Sequence, residues 1–123
     1  RVIPLQVAGA FHTAFMETAL HAVSDAASEL APKDPHSALY TNRDGSVLTS
    51  GRDALASLVS QVTQPVRWDA CMGSFEKDGI QCMMELAPGG ALVGLAKRGL
   101  KGVNTLALNT PEDIPRAREM VVS

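Results

Sequence analysis

Long apolar runs, a surplus of basic charge, paired cysteines and a nucleophile motif are all missing from this sequence, and each gap removes a class of function. No apolar stretch approaches the ~20 residues of a membrane-crossing helix, and the opening Arg1-Val2-Ile3-Pro4 carries no secretory apolar segment with a cleavage site. A soluble protein with no membrane partner is therefore expected. Eleven Lys and Arg stand against 13 Asp and Glu, a formal net charge of -2, whereas a phosphate backbone calls for a basic excess; nucleic acid is not an expected partner. Cys71 and Cys82 lack Cys-x-x-Cys spacing and each lies in an apolar stretch, the setting of free, buried thiols in a reducing compartment, which points to the cytoplasm. Metal-ligand spacing is absent too, so no metal is expected. There is no initial methionine, and the strand-like opening is read as part of a longer polypeptide.

What is present is enough for one domain or a piece of one, since 123 residues can bury a core without disulfides or metals. Val2 to Ala8 reads as a short strand. Met16, Leu20, Val23, Ala27 and Leu30 then share one helical face, with Thr13 placed as N-cap and Pro32 as the stop. A polar linker, Ala31 to Ser37, leads to a short strand at Ala38 to Thr41 and a loop at Asn42-Arg43-Asp44-Gly45, whose Asp-Gly step favours a tight turn. Ser50 with Asp53 resembles a capping box ahead of Leu55, Leu58, Val59 and Val62 at helical spacing. Trp68, Cys71, Met72 and Phe75 define a third helix that Gly79 ends.

The second half alternates strand and helix. Ile80 to Leu86 is a nearly continuous apolar run, the pattern of a strand covered on both faces. Pro88-Gly89-Gly90 turns into a helix over Ala91 to Arg98, Val103 to Leu108 returns as a strand, and Thr110, Pro111 and Asp113 open a last helix with Ile114, Ala117 and Val121 inside. This alternation predicts an α/β architecture with parallel pairing.

Three histidines are available for chemistry. His21 falls within a helix and His36 in a polar linker, both read as surface positions. His12 alone ends a strand inside a Gly-Ala-Phe turn, and the carboxyl ends of strands are where α/β proteins hold ligands. An imidazole there can act as general base and then acid, or it can be merely structural; the residues leave both readings open. A base needs a nucleophile, and no serine lies in Gly-x-Ser-x-Gly. Asp44, Asp53, Asp69 and Asp113 are accounted for by a turn, two helix starts and a cap. Gly89-Gly90 ahead of a helix could offer N–H groups to an anion, although a steric role in the turn is the stronger reading. Lys97, Arg98 and Lys101 form a solvated basic helix end that could meet an acidic partner.

Several segments, taken in order, resemble the malonyl-CoA:acyl carrier protein transacylases. They are Val7-Ala8-Gly9-Ala10-Phe11-His12-Thr13, Thr41-Asn42-Arg43-Asp44-Gly45, Leu58-Val59-Ser60-Gln61-Val62 running into Pro65-Val66-Arg67-Trp68-Asp69, Glu85-Leu86-Ala87-Pro88-Gly89-Gly90, Gly94-Leu95-Ala96-Lys97-Arg98, and Leu106-Ala107-Leu108-Asn109-Thr110-Pro111. Each is weak alone, and their order and spacing carry the likeness over nearly the whole chain.

The resemblance implies the C-terminal part of an α/β-hydrolase-like large subdomain over residues 9–123, preceded over residues 1–8 by the last strand of a ferredoxin-like small subdomain. It implies a Ser-His dyad that moves malonyl from malonyl-CoA as substrate, with no tightly bound cofactor, through a serine ester to the phosphopantetheine thiol of acyl carrier protein in fatty acid synthesis. His12 matches the dyad histidine. Gln61 matches the residue whose backbone carbonyl orients that histidine, so replacing its side chain is expected to do little. Phe11 matches the position that favours malonyl over methylmalonyl. Lys97, Arg98 and Lys101 are assigned to carrier-protein contact. The serine, the arginine for the malonyl carboxylate and the oxyanion-hole glutamine have no counterpart here, so the remaining N-terminal part of the same enzyme is an implied partner and this stretch alone is expected to be inactive. Two alternatives are a polyketide synthase acyltransferase domain and a non-catalytic carrier-protein-binding fragment.

Overall fold

The computed structural model describes Val2 and residues 9–122. The strand expected over residues 2–8, and with it the boundary of the 1–8 segment, lies outside the described residues apart from Val2. The chain forms two compact units, Arg1–Cys71 and Met72–Ser123, both mixed helix and strand.

In the first unit a 3-10 turn, Ala14–Met16, leads into α1 (Glu17–Ser28), followed by β1 (Leu39–Tyr40), β2 (Val47–Leu48) and α2 (Gly51–Gln61). Helix α1 packs on α2, and α2 also meets β2. The two strands pair antiparallel, Leu39 with Leu48 and Tyr40 with Val47. The Asp-Gly turn is legible in the sequence and its second strand is not, because two residues are too few to show an alternation. Asp44 builds the turn: its carboxylate accepts from the Ser46 hydroxyl (2.6 Å) and the Ser46 N–H (3.0 Å). Those bonds, with Arg43 beside it, lower the Asp44 pKa. Gly45 supplies a φ of 74°, and a Cβ there would lie 2.5 Å from the Ala70 carbonyl oxygen.

Polar atoms knit this unit. Thr41 and Ser57 share a buried hydroxyl hydrogen bond of 2.9 Å, and the Cys71 thiol donates to the Thr41 carbonyl at 3.5 Å. Burial pushes the Cys71 thiol pKa up. Ser50 caps α2 by accepting from Asp53 N–H (3.3 Å), while Asp34 accepts from Gly51 N–H (2.9 Å). Two apolar positions expected inside are not: Leu30 is 62% and Leu58 64% exposed. Helix α1 ends at Ser28, two residues short of Leu30, which lifts that side chain off the helical face. The half-buried side of α2 instead carries Ala54, Leu55 and Val59.

Helix α3 (Trp68–Lys77) crosses the division after Cys71. It ends as the sequence predicts, at Gly79 with φ 69°: Gly79 N–H returns to Glu76 O (3.1 Å) and Ile80 N–H to Phe75 O (2.9 Å), the double closure of a Schellman motif.

The second unit is a strand-helix-strand unit, β3 (Cys82–Leu86), α4 (Ala91–Gly99) and β4 (Asn104–Leu108), with a 3-10 turn at Pro111–Asp113 and α5 (Ile114–Val122). The strands pair in parallel, Cys82 with Asn104 through Leu86 with Leu108, and both helices contact both strands. Among its described residues Val93, Ala96, Leu100 and Leu106 are the buried apolar ones. Strand β3 was expected to be covered on both faces; Cys82 to Glu85 are half-buried and Leu86 is exposed, because a two-stranded sheet leaves each strand with one unpaired edge and few neighbours. Thr110 and Asp113 form a capping box where an N-cap and a first-turn acid were expected, while Ile114 and Val121, expected inside this last helix, are 42% and 73% exposed. Among the described residues no helix is long and apolar enough to cross a membrane.

The start of α4 holds a carboxylate of its own. Glu85 accepts from Gly90 N–H (2.8 Å), Leu92 N–H (3.1 Å) and Val93 N–H (2.8 Å), and these donors, Val93 first, hold its pKa below the usual glutamate value. Beside it the Asn109 side-chain amide accepts from Gly89 N–H (2.7 Å) and donates to Gly89 O (3.2 Å).

Because the folded-state pKa of Glu85 is depressed, its contribution to stability is present above the ordinary glutamate pKa and is lost as pH falls through the lower folded value. Urea midpoints measured across acid pH should therefore fall less steeply in Glu85→Gln than in the unsubstituted chain, with the variant less stable near neutrality. Gly45→Ala combines a backbone clash with a left-handed φ and should lower unfolding free energy by about 2 kcal/mol or more in the same assay.

Candidate functional site

His12 owes its position to two carbonyls at the end of α2. Its backbone N–H donates to Val62 O (3.1 Å) and its ring Nδ1 lies 2.7 Å from Gln61 O. A carbonyl oxygen can only accept, so Nδ1 carries a proton, and in the neutral ring Nε2 is then the acceptor. The backbone at His12 is left-handed, φ 61°, the one non-glycine residue so placed among those described. Such a conformation costs of order 1–3 kcal/mol and persists where surrounding contacts over-determine it; here both the main chain and the ring are held by consecutive carbonyls. Thr13 was expected to cap the helix. Its hydroxyl instead donates back to Ala10 O (2.7 Å), tightening the turn around His12, and the chain enters α1 through the 3-10 turn.

Phe11 and His12 both line a cavity of about 780 Å³ within the first unit, walled by α1, the β1–β2 hairpin and α2. Its lining is mainly apolar, including Met16, Val23, Leu39 and Leu58, and also takes in Lys33 and, beside the histidine, Gln61. The volume lies within the range of small-molecule sites.

Of the residues singled out from sequence, Phe11, His12 and Gln61 come together here. Lys97, Arg98 and Lys101 lie in the second unit, all exposed, two in the last turn of α4 and one just beyond. His21 and His36 are exposed. Asp69 pairs with Arg67 through two bonds, 2.9 and 2.6 Å, which lower its pKa to about 2; Asp113 caps by accepting from Asn109 and Thr110 N–H. The acids are thus engaged locally, and no group of three or more metal-ligating side chains occurs among the described residues. The Gly89-Gly90 turn offers no open anion site, since Glu85 already takes the amide hydrogens of α4. That residue was not singled out from sequence, although a glutamate ending a strand five residues before the second glycine was the available signal. Cys71 is buried and Cys82 half-buried, both free.

The malonyl CoA-acyl carrier protein transacylase of Mycobacterium tuberculosis is 46% identical over 114 residues, covering 93% of this chain and 38% of that protein. The chain is a relative of these transacylases. That of Mycolicibacterium smegmatis is 42% identical over 118 residues, 93% of this chain and 41% of the relative. The crystal structure of MCAT from Mycobacterium tuberculosis superposes with a TM-score of 0.88 over 94% of this chain and 38% of that one. No family model matches. The chain thus spans about two fifths of the length of the transacylases it resembles, and its mixed α/β fold is theirs over that span.

If the left-handed backbone at His12 is held by its two carbonyls, side chains that tolerate it should be accepted. His12→Asn should stay within about 1 kcal/mol of the unsubstituted chain, whereas β-branched His12→Val should lose about 1 kcal/mol more than His12→Asn, as read by thermal or urea unfolding.

Proposed function

We propose that the chain contributes the general base of a malonyl-CoA:acyl carrier protein transacylase, with His12 in that role. The observation that carries this reading is the 2.7 Å approach of His12 Nδ1 to Gln61 O on a strained backbone beside a cavity. Holding the Nδ1–H tautomer leaves Nε2 free to take a proton from a serine hydroxyl, to return it to the leaving coenzyme A thiol, and to repeat the exchange with the phosphopantetheine thiol of the carrier protein. A backbone carbonyl then does what a carboxylate does in a Ser-His-Asp triad: it fixes the ring and its tautomer, without a negative charge. The serine, the arginine for the malonyl carboxylate and the oxyanion donors are assigned to the part of the enzyme that the 38% coverage of the relatives leaves out. On this reading residues 9–123 belong to an α/β-hydrolase-like large subdomain and residues 1–8 end a ferredoxin-like small one, in a cytoplasmic enzyme of fatty acid synthesis that needs no tightly bound cofactor.

Phe11 is assigned to selectivity. Its ring lines the cavity next to His12, where bulk would crowd an α-methyl branch, a discrimination worth ~1–3 kcal/mol. The exposed Lys97, Arg98 and Lys101 at the end of α4 are assigned to docking of the carrier protein by charge complementarity.

The test uses a polypeptide spanning the full length of the transacylase relatives. Intact mass should show one malonyl group after incubation with malonyl-CoA. His12→Ala should reduce transfer to the carrier protein by about 10³-fold or more, while His21→Ala and His36→Ala leave it nearly unchanged. Retained transfer in His12→Ala would exclude the assignment.

A further inference from the structure

Helix α2 ends without the glycine that closes α3. No residue between Val62 and Pro65 has a positive φ; Val62 continues in helical geometry, φ -53° and ψ -35°. The main-chain bonds at this end are long: Val62 N–H to Val59 O, Thr63 N–H to Ser60 O and Gln64 N–H to Gln61 O are each 3.3 Å, at the weak edge of hydrogen-bond range. What closes the turn is a side chain. Gln61 Nε2 donates to Gln64 O (3.1 Å) and to Pro65 O (2.9 Å), using both amide protons on the carbonyls of the departing chain.

The orientation of that amide is fixed by its partners, because the flipped form would set Oε1 against two carbonyl oxygens. Oε1 itself is buried with no partner among the described residues, in a residue only 3% exposed. An apolar side chain of the same length would fill this space without a buried, unpaired oxygen. The glutamine is therefore locally unfavourable except for its two N–H bonds. Those bonds tie down the stretch whose carbonyls receive His12: Gln61 O takes Nδ1 and Val62 O takes the backbone N–H.

We infer that the Gln61 side chain is a positioning residue for His12: by tying the 61–65 turn shut it fixes the direction of the Gln61 and Val62 carbonyls, and through them the imidazole tautomer. The kinetic part of this inference rests on the transacylase reading; the tautomer part does not.

Imidazole nitrogen NMR on uniformly labelled chain reads the tautomer directly. The unsubstituted protein should show neutral His12 protonated at Nδ1, while Gln61→Met and Gln61→Glu, which keep the length but lose the donor pair, should shift it toward Nε2–H. Ser57→Ala, on the same helix, loses the buried hydroxyl bond to Thr41 and should lower the melting temperature while leaving the tautomer as it was. The inference is overturned if the Gln61 variants retain the Nδ1–H form, or if Ser57→Ala shifts it equally. Should the Gln61 variants fail to fold, warming the unsubstituted chain decides: loss of exchange protection at the Gln61 side-chain amide should accompany the tautomer change, and a change while that amide stays protected overturns the proposal. In the full-span polypeptide, Gln61→Met should lower kcat on the order of 10- to 100-fold with KM for malonyl-CoA little changed. Absence of malonyl transfer by the unsubstituted polypeptide would sink the transacylase reading alone; normal transfer and an unchanged tautomer in Gln61→Met would sink the positioning role alone.

Discussion

Two consecutive carbonyls at the C-terminus of α2 hold His12 by its main chain and by its ring, and α2 is itself packed against α1 and β2 in the first unit. The last carbonyls of any helix lack intrahelical partners. Here that vacancy is filled by a residue 49 positions away in sequence, so a feature common to all helices becomes a mount for one imidazole. The acceptor is a neutral carbonyl, which fixes the direction of the ring and the nitrogen that carries the proton without placing a second formal charge beside it.

Around this mount the first unit is packed differently from the second. Among its described residues the buried positions are Thr41, Ser57, Gln61 and Cys71 with two glycines; hydroxyl and thiol bonds join Thr41, Ser57 and Cys71, the Gln61 amide bonds the chain that follows it, and the larger described apolar side chains are half-buried or exposed. The second unit buries Val93, Ala96, Leu100 and Leu106 about a parallel strand pair. Directional bonds enforce position more narrowly than apolar contact does, which suits the unit that carries the histidine. Apolar packing suffices for the other.

The elements with periodic patterns were legible in sequence. The three helices after His12, the parallel β3–β4 pair, the Gly79 stop and the Thr110–Asp113 cap all follow from spacing and capping chemistry. The β2 strand was not, since Val47–Leu48 is too short to show a period, and Leu30 and Leu58 matched a helical face by spacing while standing outside it. For the site, the Gly-Ala-Phe-His turn marked His12, but its left-handed φ and its partner at Gln61 depend on tertiary contact and have no local sequence signature. Resemblance to the transacylases supplied Gln61 as a backbone role; the two bonds of its side chain became visible only with the fold.

The Glu85 carboxylate at the start of α4 has a consequence for how this molecule meets charged ligands. A strand, two glycines and a helix make the kind of socket that cradles phosphates elsewhere, yet here the socket is plugged by the chain's own anion. A diphosphate or carboxylate brought to this socket finds its N–H groups already bonded to Glu85, so to bind there it would have to displace a carboxylate rather than fill an open site.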